Sequence, residues 1–291
     1  MARLLQSNIV HRFGSSTFPF RLPLSTSRTN ETIGQTVEQA IADNNRLDSG
    51  INPERIDPVL LAPMKAITAP LAQHFTFDKA IGVKNTKVDF HAEHGPMGPG
   101  TTSVKSSYRD DKVCPQTIGQ TTKERYVEYF NINKGDDIAL AIKTHFIENP
   151  ELVCSEMLKN LNCCDYIIHV SGSIIKKPPA LGTLIGSETS AYLDKCKMNQ
   201  LEINPSQSLG KLRIDWFHRS FFEGFTWNKS LFTFTKSIET WNESCTVKYN
   251  GNSIAEFQIH KGRNAAKFRF RIKALVGIIQ SERMASVIMT T

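Results

Sequence analysis

The sequence predicts an α/β (α+β) fold in which helices flank a mixed central sheet and a strand-rich part follows at the C-terminus. Three observations carry this reading. Helical periodicity marks several segments before residue 165, alternating stretches lie between them, and the last third is rich in alternation with turn signals. The chain has 291 residues, 40 % of them apolar, enough for a substantial core in one large domain or two small ones.

The first predicted element is a helix over 29–47. Thr29 or Asn30 caps it, and Ile33, Val37, Ala40 and Ile41 fall on one face. Pro53, Pro58, Pro63 and Pro70 divide 51–82 into short helices and turns. TKVDFHAEH (86–94) alternates as a strand, GPMGPG (95–100) breaks it, and TTSVKSSY (101–108) returns as its partner. A helix over 136–147 gathers Ile138, Ala141, Ile142, His145 and Phe146 on one face, and Pro150 opens the next helix. CDYIIHVSG (164–172) reads as a buried strand. KLRIDWF, SLFTFTKSI, SCTVKYN, SIAEFQIH and AKFRFRIKAL then read as strands, with Asn250-Gly251-Asn252 as a hairpin turn. The expected division is a basic arm over 1–28, a core over 29–200, and a strand-rich region over 201–291 packed on it.

The formal net charge is +7, and it is unevenly placed. The first arm carries Arg3, Arg12, Arg21 and Arg28 without an acid. Residues 245–291 set eight basic residues against Glu256 and Glu282. Two basic ends around a near-neutral middle favour a polyanionic partner. No apolar run approaches the roughly 18 residues of a membrane span, so no membrane partner is expected. The Arg- and Ser-rich arm also has the composition of an organelle transit peptide, though it lacks a secretory apolar segment. Cys114, Cys154, Cys163, Cys164, Cys196 and Cys245 form no C-x-x-C pair. They are expected as reduced thiols of a cytoplasmic protein, acting mainly as small buried side chains.

KVDFHAEHGPMGPGTTSVKSS (87–107) is the segment richest in chemistry. It sets Asp89 and Lys105 on consecutive strands joined by a Gly/Pro turn. A carboxylate there can hold Mg²⁺, and an ammonium can orient a water and offset charge on a phosphate. The plainer alternative is a solvated cross-strand ion pair. His91, His94 and His145 are further ligand candidates, more simply read as ordinary exposed or hydrogen-bonded histidines.

The segment resembles the PD-(D/E)xK motif of type II restriction endonucleases. Val88-Asp89 stands for Pro-Asp, and Ser103-Val104-Lys105 stands for the acid-x-lysine triplet. The following DKVCPQTIGQ (111–120) is also similar to the segment after the lysine strand in some of these enzymes. The resemblance implies a restriction-endonuclease-like core, a Mg²⁺ cofactor and hydrolysis of double-stranded DNA. It also implies a homodimer, because a palindromic target asks for a twofold protein. Ser103 departs from the pattern, since a hydroxyl is a poor Mg²⁺ anchor. The missing acid is expected from Glu38 in the first helix, with Glu93, four residues from Asp89 on one strand face, as the alternative. Glu256-Phe257-Gln258 is a second candidate strand, similar to the Glu-x-Gln variant of the motif.

The same C-terminal strands suit DNA recognition. Gln258 and His260 share a face, as do Lys267, Arg269 and Arg271. Gln and Arg can read base edges, while Lys248, Lys261, Arg263 and Lys267 suit phosphates. Gln116 and Gln120 are candidates for DNA contact or for support of the site. A non-catalytic DNA-binding protein, or an imported nucleic-acid-binding protein, remains the alternative reading.

Overall fold

The computed structural model describes residues 30–81, 88–107, 112–172, 197–200 and 212–290. The basic arm, Thr29 and Cys196 lie outside the described residues. Among those described, the chain is mixed α/β, with two sheets and helices around them.

The first sheet runs in the order β1 (Thr76–Ala80), β2 (Phe90–His94), β3 (Gly100–Ser107), β6 (Tyr166–Gly172), β8 (Leu212–His218), β7 (Lys197–Gln200). β3 pairs with β6, and β7 with β8, in parallel; the remaining pairs are antiparallel. A parallel pair needs a long crossover. Here it is supplied by α3 (Lys123–Phe130), α4 (Ile138–Glu148) and α5 (Pro150–Leu161). The second sheet is antiparallel, in the order β4 (Lys112–Val113), β12 (Ala266–Arg271), β11 (Asn252–Ile259), β10 (Ser244–Tyr249), β9 (Phe232–Phe234), with β5 (Gln120–Thr121) also on β12.

Local chemistry explains the element ends. Asp137 caps α4 by accepting from the Ala139 and Leu140 N–H groups, and Thr122 caps α3 through Arg125 N–H. Pro150 takes the first position of α5, where a missing N–H costs nothing. The β10–β11 turn puts Asn250 and Gly251 at φ 47° and 76°, the left-handed pair that Asn-Gly adopts most readily.

Two apolar clusters lie on opposite faces of the first sheet. One joins α1 (Asn30–Asn44) and α2 (Pro58–Thr68) to Val104, Tyr166, Ile168, Val170, Ile214 and Trp216. The larger joins Ile167 and Phe217 to α3–α5, to the apolar face of the second sheet, and to α6 (Ile272–Thr290). Trp227 and Trp241 sit in this larger core as anchors.

Several expectations shift. The strand read through Leu275 stops at Arg271, where the apolar spacing changes from two to the three and four of Ile272, Leu275, Val276 and Ile279, all buried in α6. Within 51–82, Thr76–Ala80 forms β1 rather than a turn, because it pairs with β2 at the sheet edge. The strand over 212–218 joins the first sheet, while β4 and β5 join the second, so each sheet draws strands from both sides of residue 200.

Phe257 is fully buried and packs near Tyr126, Phe146, Trp241 and Phe268, whereas Gln258 faces the polar side. Phe257→Ala should lower unfolding free energy by about 3–5 kcal/mol, and Gln258→Ala should change it by about 0.5 kcal/mol or less. Urea denaturation of the two variants checks this; equal losses would contradict the alternation of the second sheet.

Candidate active site at the β2–β3 hairpin

Asp89 sits in the bend just before β2. Its backbone is held on both sides: its N–H donates to Thr102 O at 2.9 Å, and its carbonyl accepts from Ile81 N–H at 2.9 Å. Its carboxylate turns onto β3 and accepts from Val104 N–H at 2.6 Å. Lys105 lies two positions after Ser103 on the same strand face, and its ammonium reaches back to donate to Ser103 Oγ at 2.7 Å.

Ser103 is fully buried and acts as a hub. Its oxygen accepts from Lys105 Nζ and, at 3.2 Å, from Gln116 Nε2. Its hydroxyl is also hydrogen-bonded to Asp89. A hydroxyl offers one donor and two acceptor sites, so Ser103 is saturated. Ser103 is thus a neutral junction that fixes the lysine, the aspartate and Gln116 against one another. Gln116 is therefore occupied inside the site rather than held out for a ligand. Its loop is braced by its own N–H, which donates to Asn160 O at 3.2 Å.

Glu38 reaches the same place from α1. Ile33, Val37, Ala40 and Ile41 bury one side of this helix against the first sheet. The helix crosses close to β3 at Gly34, where a side-chain carbon would stand 3.9 Å from Ser106 Oγ. Glu38, one turn further on, lies within electrostatic reach of Asp89 and Lys105. It keeps an edge open to solvent. Burial, then the charge of Asp89, push its carboxyl up to about 8, with Lys105 opposing. Burial likewise raises Asp89, against the pull of Lys105, Val104 N–H and Ser103.

The structure thus brings Glu38, Asp89, Ser103, Lys105 and Gln116 together, and leaves other candidates apart. Glu93 stands exposed near the end of β2. The ring of His91 is engaged by Asp78 at 2.7 Å. Glu256, in the second sheet, is clasped by Lys112 at 3.0 Å and by Arg269. Burial works against its charge, but these two cations outweigh burial and hold its carboxyl below the usual range. It is accounted for as the anion of an ion-pair cluster.

Glu38 and Asp89 together offer hard oxygen donors whose charges repel and whose burial is unfavourable without a cation. Among the described residues, no group of three or more His, Cys, Asp and Glu side chains forms a closed metal cage. A pair of carboxylates suits a cation such as Mg²⁺, which keeps several waters and shares its remaining positions with phosphate oxygens.

A polar face of the second sheet continues from this cluster. Registers Glu256↔Arg269, Gln258↔Lys267, Lys267↔Gln120 and Arg271↔Lys112 place these side chains on one side, opposite the buried phenylalanines. Thr246 and Ser244 extend it across β10, and Lys248 follows there, partly exposed. Lys261 and Arg263 stand exposed in the β11–β12 turn, next to the half-buried His260. Cys114 links the two regions: Lys267, Arg269 and Lys105 all act on its thiol, although burial raises it overall.

The raised Glu38 carboxyl sets a pH dependence for the metal-free protein. Between its ordinary value of 4.5 and about 8 the folded chain binds a proton that the unfolded chain has lost, so stability falls as pH rises through this window. Thermal melting in the presence of a chelator should show this fall, and Glu38→Gln should flatten it. A slope unchanged by the substitution would contradict the placement of Glu38.

A stretch of 185 residues is 28 % identical to the type II restriction enzyme CviAII of Paramecium bursaria Chlorella virus 1. The match covers 62 % of this chain and 41 % of that enzyme, so the chain spans less than half the length of the curated relative it matches. No family model matches the chain, and no solved structure matches it. Among the described residues, no helix is long and apolar enough to cross a membrane.

Proposed function

We propose that the chain is a Mg²⁺-dependent, sequence-specific endonuclease of double-stranded DNA, working as a type II restriction enzyme with a PD-(D/E)xK-like site. The observation that carries this reading is the meeting of Glu38 and Asp89 with Lys105 at one end of a hairpin. The similarity to a type II restriction enzyme supports it.

Glu38 and Asp89 are the residues that would hold the cation. Bound there, Mg²⁺ would supply Lewis-acid polarisation of a phosphate and a lowered pKa for water. Lys105 has the role of orienting the attacking water and offsetting the charge that builds on the phosphate. Ser103 and Gln116 keep that ammonium directed toward the carboxylates, and Val104 N–H fixes Asp89. These are positioning residues. On the second sheet, Lys267 and Arg269 are assigned to the DNA backbone or base edges nearest the cut, Gln120, Lys248 and Gln258 to the wider polar face, and His260, Lys261 and Arg263 to its rim. A twofold dimer would match a palindromic target.

Cleavage of a plasmid library with Mg²⁺ tests the activity. Asp89→Ala and Lys105→Ala should each reduce cutting by about 10²-fold or more, the scale of lost electrostatic stabilisation, while gel-shift binding is largely kept. Binding without cutting by the unaltered chain would favour a non-catalytic DNA-binding protein. Loss of cutting in Glu256→Ala together with normal cutting by the Asp89 and Lys105 variants would move the site to β11.

Lys267→Ala should weaken DNA binding evenly across sequences. It should also reduce the slope of log affinity against log salt by about 0.9, the effect of one phosphate contact. A changed sequence preference with an unaltered slope would instead make Lys267 a base reader.

A further inference from the structure

The α5–β6 turn carries Cys163 and Cys164 next to each other, and their sulfurs lie 3.8 Å apart. Cys164 is almost wholly buried, whereas Cys163 is partly open to solvent. The pair therefore sets a partly exposed cysteine beside a buried one. Adjacent cysteines are poorly placed for an unstrained disulfide or for a four-ligand zinc site. Two sulfurs at this separation can instead converge on a single soft, two-coordinating centre.

The turn is joined to the strand of the candidate site. Asp165, the next residue, accepts from both the N–H and the hydroxyl of Thr101 at 2.8 Å, and its own N–H donates to Thr101 Oγ1 at 3.2 Å. A side chain at Gly100 would stand 2.7 Å from Asp165 Cβ, so turn and strand are in tight contact. Thr101 lies two residues before Ser103. Asn160, at the end of α5, holds the Gln116 loop from the other side. The Cys164 thiol, raised by its bond to Cys163 and by burial, also feels the charges of Asp89 and Lys105.

We infer that Cys163 and Cys164 form a vicinal dithiol site for a trivalent arsenical or a comparable soft thiophile, and that its occupation switches off the chemistry at the β2–β3 hairpin. The switching half rests on the nuclease reading; the binding half does not. With phenylarsine oxide the step is balanced without redox change. Two sulfur–arsenic bonds form, the arsenic–oxygen bond is lost, the two thiol protons leave with that oxygen as one water, and arsenic stays trivalent. The bridged sulfurs pull the turn away from its clamp on Thr101, and with it the start of the strand that carries Ser103 and Lys105.

The test treats the full chain with phenylarsine oxide and follows it by intact mass and by plasmid cleavage. One phenylarsenic group should add per chain with loss of one water. Cleavage should fall at least tenfold, and a small dithiol should reverse both effects where an equal concentration of monothiol does not. Cys163→Ser should take up no arsenical and should cut DNA equally with and without it. Cys164→Ser gives a second reading of the pair, and Cys114→Ser should remain sensitive. An adduct that persists in Cys163→Ser, or that disappears in Cys114→Ser, overturns the site. A single adduct on Cys163 and Cys164 with unchanged cleavage overturns the coupling. If untreated protein cuts no DNA, the nuclease reading fails, while the mass measurement still judges the dithiol.

Discussion

Glu38 and Asp89 are two like charges drawn out of water within reach of each other, and the surrounding structure is arranged to tolerate them. Asp89 is tied by its backbone to Ile81, just after β1, and to Thr102 on β3, and by its carboxylate to Val104 N–H and Ser103. Lys105 supplies the nearest positive charge, and Ser103 keeps that lysine turned back along its own strand. For Glu38, burial and the charge of Asp89 outweigh Lys105, which is why its carboxyl shifts so far. A carboxylate taken out of water beside a like charge favours the protonated form unless a cation arrives. The arrangement stores unfavourable electrostatics where a divalent ion and a phosphate would relieve it.

Ser103 follows the same logic. A third carboxylate beside Glu38 and Asp89 would add repulsion in a partly dry pocket. A hydroxyl adds none, and its three hydrogen-bonding positions are all used, by Lys105, Gln116 and Asp89. What the site loses in metal-binding charge it gains in fixed geometry.

The proximity of Asp89 and Lys105 is legible because a hairpin is local: five residues, a Gly/Pro turn and a strand return. Glu38 could be nominated only as an acid on an amphipathic helix, because nothing local says where that helix crosses the sheet. Gln116 was legible as a polar residue downstream of Lys105, but its bond to Ser103 depends on Asn160 and on β4 and β5, whose partner strand lies far along the chain. Glu256 is a catalytic candidate from its triplet alone, and the ion pairs with Arg269 on β12 and Lys112 on β4 become visible only once the strands of its sheet are paired. The C-terminal helix was hidden because FRFRIKAL alternates long enough to mask the change of period at Ile272. The short β1 and α3 lacked any strong local signal, and packing decides them.

Strand order carries one more consequence, for the nascent chain. β4 and β5 flank the loop that bears Gln116, yet both pair with β12, about 150 residues later in synthesis. At about 5–20 residues per second, Asp89 and Lys105 are translated roughly ten seconds or more before the strand that seats this loop exists. Until β12 emerges, the loop that bears Gln116 lacks its pairing to the second sheet, and the cationic face beside it lacks Lys267 and Arg269. Translation itself therefore times the completion of the centre, and a truncated product that ends before Ala266 carries the reactive residues without the frame that organises them.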